Sequence, residues 1–328
     1  MHGNELPLRH LFQAIDGKAS GPNTFEGDLG KALTMPLSDL PVVQFKPVAG
    51  VVAQLPDDVV SDLSCDQKYL HDICIAVQQG VVPSGLANSS PGVLNHARWL
   101  TLANRVLRLY VSTIHPSHSL VRLVSFIVNH YAPSWFWIKS HSACTDGAKN
   151  LFHQIQLTAR LQQEDRDIVE PVISRNSFFA HPESLLICML ADENYHIRIR
   201  AIEMIMKCRR EAKSKQNNTL RMFMIPEINF AALNFENIID WTGTTVTEPP
   251  LTVDVSDDEL AECSNHPIQL PFYPCHTQAV ERTVKLVTEA SVKCYGHSSR
   301  HGWIMNVLKS RKTKPSFQSK KDDRLKTN

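Results

Sequence analysis

Apolar residues recur at three- and four-residue spacing through most of positions 60–215, a pattern that predicts a run of helices. Residues 64–80 carry it most clearly. Tyr69, Leu70, Ile73, Cys74 and Val77 share one face, Ser64 and Gln67 fit a capping box, and Gly80 supplies the stop. A second helix follows Pro91-Gly92 and runs through Arg98-Trp99 to about Val111. A third spans Ser119 to Tyr131 and is expected to end before Pro133, whose ring disfavours helical backbone in the residue preceding it. Trp135-Phe136-Trp137-Ile138 reads as an aromatic plug between helices. Further helices are predicted over 146–160 and 164–173. Another starts at His181-Pro182-Glu183, with proline in its first turn. Residues 194–210 place Ile197, Ala201, Ile205 and Cys208 on one face, and Leu190-Ala191-Asp192-Glu193 is the turn of the resulting helical hairpin. Only one such hairpin unit is legible, which does not support a solenoid.

The helical period lapses at both ends of this run. Residues 1–45 open with a short helix and continue through the turn signals Asp16-Gly17, Ser20-Gly21-Pro22 and Glu26-Gly27. Leu40-Pro41-Val42-Val43-Gln44-Phe45 suits one short strand, and residues 46–63 read as a linker. Residues 211–218 form a polar linker, and 220–255 suggest extended segments and turns. Ser256 and Glu259 cap a short helix. Residues 276–289 predict a helix with Ala279, Val280, Val284 and Val287 in its stripe and Glu281 at the rim of that face. A last helical turn includes Trp303-Ile304-Met305. The expected class is mainly α, organised as a terminal segment 1–50, a large helical part 60–215, an irregular segment 216–308 and a tail 309–328.

Composition refines this picture. The chain has 328 residues, 43% apolar and 20% charged, which suits a globular protein with a sizeable core. Its net charge is +1, but the stretch from Lys309 to Asn328 holds eight basic residues and two acids, so the tail carries +6 and the rest −5. Such a tail is expected to be disordered, since it has few apolar residues to offset ordering entropy, and its charge suits nucleic acid or nuclear import. No basic start followed by an apolar run opens the chain, and no stretch approaches the ~20 apolar residues of a membrane helix. A nuclear or cytoplasmic location away from membranes is expected, with the eight scattered cysteines reduced and mostly structural.

Few residues suggest chemistry. Cys263-x2-His266 and Cys294-x2-His297 are two pairs that together have the ligand types of a tetrahedral zinc site. The 27 residues between them exceed finger spacing, so four ordinary residues near helix ends is the competing reading. Cys275 and His276 are neighbours, but adjacency alone does not activate a thiol. No Gly-rich phosphate loop, serine elbow or His-Glu-x-x-His helix is present. Metal-assisted chemistry on nucleic acid needs two or three acids around divalent ions, and Glu281 is the best single candidate. Asp16 lies in a turn signal and Asp57-Asp58 in the predicted linker.

Five segments carry a resemblance. They are His2 to Phe12, Leu40-Pro41-Val42-Val43, Ala97-Arg98-Trp99-Leu100-Thr101, Phe179-Ala180-His181-Pro182-Glu183 and Pro274 to Arg282. Together they resemble mobile-element-associated proteins of invertebrates over about residues 2–309. More distantly the chain is similar to hAT-type transposases, whose RNase H-like catalytic domain is interrupted by a large helical insertion. In this resemblance His2 matches the histidine that follows the second catalytic aspartate, and Arg98-Trp99 matches an Arg-Trp pair early in the insertion. Glu281-Arg282 matches the late motif that carries the third acid.

The resemblance implies a partial RNase H-like α/β remnant formed by the two ends of the chain, with a helical insertion domain between them. The two catalytic aspartates would fall before His2, so the chain corresponds to the C-terminal part of a truncated transposase-like protein. It would be catalytically incomplete by itself, with magnesium expected only in an intact relative. DNA and a second copy of the chain are the implied partners, and Arg98, Trp99 and Arg282 the implied DNA-binding or bracing residues. The alternative is an α-helical protein-interaction scaffold without nucleic-acid activity.

Overall fold

The capping box expected at Ser64 forms, with the Ser64 amide donating to Gln67 Oε1 at 2.9 Å. It opens helix α4 (Cys65–Gln79), and Gly80 closes that helix with φ of 76°, a left-handed conformation that glycine adopts without a Cβ clash. The structure is a computed structural model that describes residues 5–21, 24–94, 99–141, 145–214, 226–242 and 256–269. These are mainly helical. Ahead of α4 lie α1 (Leu6–Asp16), the hairpin β1 (Ala19–Gly21) and β2 (Thr24–Phe25), α2 (Asp28–Leu33) and α3 (Asp57–Ser61). After it come α5 (Ser84–Ala87), α6 (Trp99–Val111), α7 (His118–Phe126), α8 (Ala132–Ser140), α9 (Gly147–Thr158) and α10 (Gln163–Asn176). The hairpin α11 (Pro182–Leu190) and α12 (Tyr195–Ser214) follows with the expected turn, then α13 (Asp257–Asn265). Helix α13 opens on the capping box of Ser256 and Glu259.

Helix α6 packs along α4, and α1 lies on α10 and α7. Helix α9 is bordered by α8 and α11, and α12 packs on α13. Buried side chains from Leu8 of α1 to Cys263 of α13 form one hydrophobic cluster. Asp16, in the predicted turn, joins α1 to the head of α2 by accepting hydrogen bonds from the amides of Leu29 (3.0 Å) and Gly30 (2.6 Å). A carboxylate there meets the unpaired amides of a helix N-terminus.

Three expectations are corrected. The helix from residue 119 does not end before Pro133. Helix α7 widens into a π-helical turn (Ile127–Tyr131) and continues directly into α8. In an α-helix Pro133 would lose a hydrogen bond and press on the carbonyl of residue 129. The wider turn, with the Ala132 amide bonded to the Ile127 carbonyl, accommodates the ring.

Residues 40–45 do not form a strand, and residues 46–56 do not form a free linker. Residues 40–56 are an extended strap laid across α4, α6 and the π turn. Its amides reach helix carbonyls: Val43 to Val111 at 3.0 Å, Val48 to Val77 at 3.1 Å and Val51 to Val128 at 3.2 Å. Gln78 bonds both backbone groups of Val52 at 3.0 Å, mimicking a partner strand. Extended backbone satisfied in this way has no need of a sheet.

Candidate functional site

Of the residues singled out in the sequence, Trp99, Cys263 and His266 lie within the described residues. His2, Arg98, Glu281, Arg282, Cys294 and His297 lie outside them, as do the predicted helix over 276–289 and the basic tail.

Trp99, in α6, is buried, with 7% of its surface exposed. Its ring meets Phe12 of α1 edge-on at 6.0 Å. The indole therefore braces the helical part against the segment that precedes it. Cys263 is buried at the end of α13, where its thiol donates to the Glu259 carbonyl at 3.3 Å and burial pushes its pKa up. His266 follows it, exposed, with its amide on the Glu262 carbonyl at 3.1 Å. Among the described residues no group of three His, Cys, Asp or Glu side chains is placed to hold a metal ion. The zinc reading rests on Cys294 and His297.

Two arginines of α6, Arg105 and Arg108, are buried. Arg105 donates from Nε to the Leu33 carbonyl at 2.6 Å, from Nη1 to Gly92 at 2.8 Å and from Nη2 to Met35. Arg108, 1% exposed, donates from Nε to Leu37 at 3.2 Å and from Nη2 to Leu40 at 2.7 Å. Tyr110 continues the row, its hydroxyl donating to the Lys46 carbonyl at 2.7 Å. Spacing of three places Arg105 and Arg108 on one face of α6. Apart from Gly92, their targets are carbonyls of α2 and the residues that follow it to Leu40, so two buried cations hold the chain that leads into the strap. Burial lowers the Arg105 pKa, and burial pushes the Tyr69 hydroxyl beside both arginines up to about 12. The signal for this clamp was present in the sequence, as basic residues on an apolar helix face; its partners were not.

A second clamp closes the α11–α12 hairpin. Arg198, buried, donates to the Asp192 and Glu193 carbonyls at 2.8 Å each, and to Cys263 and Ser264 at 2.9 Å each. It ties the hairpin turn to the carbonyl end of α13. Beside it Lys149 pairs with Asp192 at 2.7 Å and lies over the Phe235 ring at 5.2 Å.

The aromatic plug departs from its expected form at one position. Trp135, Phe136 and Ile138 are buried, while Trp137 is 37% exposed. Both faces of its indole are covered by imidazoles. His141 stacks on one at 4.1 Å with planes 16° apart, and His153 of α9 on the other at 4.3 Å and 17°. Burial, then His141 and Arg160, bring the His153 pKa down to about 4. His130, on the π turn, is fully enclosed and falls to about 3, mainly through burial and partly through His153. Its Nε2 lies 2.9 Å from Thr158 Oγ1, whose own proton goes to the Gln154 carbonyl at 2.8 Å. The neutral imidazole of His130 therefore carries its proton on Nε2. These groups can clamp, cap and stack.

No protein-family model, curated protein or solved structure matches the chain.

Proposed function

We propose that this chain is the helical body of a transposase-like protein and that it holds DNA rather than cutting it. The reading is carried by Trp99. It lies in α6, at the place of the Arg-Trp pair that the resemblance puts early in the helical insertion, and it packs on Phe12 of the preceding segment. The described helices that follow Trp99, from α6 to α13, support the same order. In this reading the two ends of the chain belong to an RNase H-like α/β unit, and Glu281 supplies one acid. One carboxylate does not hold a pair of metal ions, so in this reading strand cleavage would require further acids beside Glu281. The +6 tail is the element expected to meet phosphates.

The test is duplex-DNA binding by fluorescence anisotropy across a salt series, for the full chain and a form ending at residue 308. Binding through the tail makes affinity fall steeply with salt, with a log–log slope of about −0.9 per phosphate neutralised, and removing the tail flattens it. A slope that survives the deletion rules the tail out. Magnesium-dependent cleavage abolished by Glu281→Gln would overturn the non-cutting reading.

A second reading, an α-helical interaction scaffold, is favoured by the buried arginines Arg105, Arg108 and Arg198, which donate to the chain's own carbonyls. Folded protein with no DNA affinity at low salt would select it.

A further inference from the structure

We propose that the seam between α4 and α6 binds a small monovalent anion, a halide ion held by the Arg108 guanidinium and the Tyr69 hydroxyl. Packing brings these two groups level. A Cβ placed on Gly92 would stand 3.1 Å from Asp66 Oδ1 and 3.4 Å from Thr101 Cγ2, so the first turns of α4 and α6 lie side by side. Their far ends share the strap, through the carbonyls of Val77 and Val111. The two helices therefore run parallel. Asn104 fixes their register by donating from Nδ2 to the Asp66 carbonyl at 3.0 Å. About one turn further along each helix stand Arg108 and Tyr69.

The chemistry at this level is one-sided. Arg105 and Arg108 bring two buried positive charges to one face of α6. Among the described residues they donate to the neutral carbonyls of Leu33, Gly92, Met35, Leu37 and Leu40, and neither pairs with a carboxylate. Buried charge without a counter-charge is costly, because neutral dipoles replace only part of its hydration. Arg108 Nη1 and the Tyr69 hydroxyl are both enclosed, and neither meets a hydrogen-bond partner among the described residues. Their residues are 1% and 6% exposed.

A guanidinium can only donate, and the phenol keeps its proton, since burial pushes it up to about 12. Two donors without an acceptor, in positive surroundings, select an anion, which accepts from both and supplies the missing charge. A water molecule would accept from both but leave the charge uncompensated. Enclosure between packed helices restricts the ligand to a single atom, hence a halide. Arg108 also holds the carbonyls of Leu37 and Leu40, so the ion steadies the chain that leads into the strap.

The experiment follows urea unfolding of the full chain by circular dichroism while chloride replaces gluconate, an anion too large for the seam, at constant ionic strength. Chloride should lower the unfolding equilibrium constant, approaching tenfold per tenfold rise in chloride once the site saturates. Tyr69→Phe keeps the ring and removes one donor. It should fold, lose most of the chloride dependence and be less stable than wild type in chloride. A merely unpaired hydroxyl would act in the opposite sense, since deleting it relieves a buried polar group and raises stability in both salts. Crystals grown in sodium bromide should show an anomalous peak within hydrogen-bond reach of Arg108 Nη1 and the Tyr69 hydroxyl. Equal stability in the two salts would overturn the proposal. So would a chloride dependence unchanged in Tyr69→Phe, or a water in place of bromide at that position.

Discussion

Arg108 shows what a single residue does in this molecule. A charge that is 1% exposed is tolerable only because carbonyls of Leu37 and Leu40 solvate it in place of water. Arg108→Ala removes the donor, takes the guanidinium partner from the Leu40 carbonyl and leaves a cavity, and is expected to cost about 3–5 kcal/mol in urea unfolding. A loss below about 1 kcal/mol, the size of an exposed pair, would show that solvent reaches the site.

His130 sets an acid limit. Its folded pKa, about 3, lies below the unfolded value of about 6.5, so the unfolded chain binds the proton more readily. Its contribution is complete above about pH 6.5 and is lost as pH falls toward 3, at up to about 1.4 kcal/mol per pH unit. His153 adds a smaller, solvent-screened share between about 6.5 and 4. Unfolding free energy measured from pH 7 to pH 4 should therefore fall, and His130→Gln should flatten the fall. An unchanged slope in that variant would remove His130 as the cause.

At the scale of elements, capping chemistry was legible and accommodation was not. Ser64-x-x-Gln67, Gly80 and Ser256-x-x-Glu259 act within one turn of chain, so local sequence specifies them. The strap departs from the expected strand because its partners are distant in the chain, and the stop expected at Pro133 is bypassed because a helix can widen locally around the ring. Leu40–Phe45 has the alternation of a strand, but its Val43 amide is taken by the end of α6. Pro133 has the signature of a helix stop, but the wider turn lets the helix pass. Gln78 fastens the strap through two hydrogen bonds to Val52. Gln78→Ala is expected to destabilise by about 1–3 kcal/mol and to speed amide exchange at Val52 while α4 stays protected. Equal loss of protection in both would mean that the strap and α4 open together.

For the whole molecule, one hydrophobic cluster from Leu8 to Cys263 joins the first described helix to the last. Denaturant unfolding followed by far-ultraviolet circular dichroism and by tryptophan emission is expected to give coincident single transitions for the body. Separate transitions would divide it into independently stable parts.

The sequence by itself determined the mainly helical class, most helix positions, the α11–α12 hairpin and the caps, because helical periodicity and capping are read within a few residues. It also pointed to Trp99, and the large aromatic went to the core as aromatics generally do. Only the tertiary structure decided that Arg105 and Arg108 hold the chain after α2, that residues 40–56 lie on the helices without a sheet, and that Trp137 sits between two imidazoles. The physical reason is common to all three. A backbone carbonyl or an aromatic face is a partner that every residue of its kind offers, so the selection among them is made by which surfaces packing brings together. His141 is four residues from Trp137 and His153 is sixteen, but the plane they share exists only once α9 lies against α8.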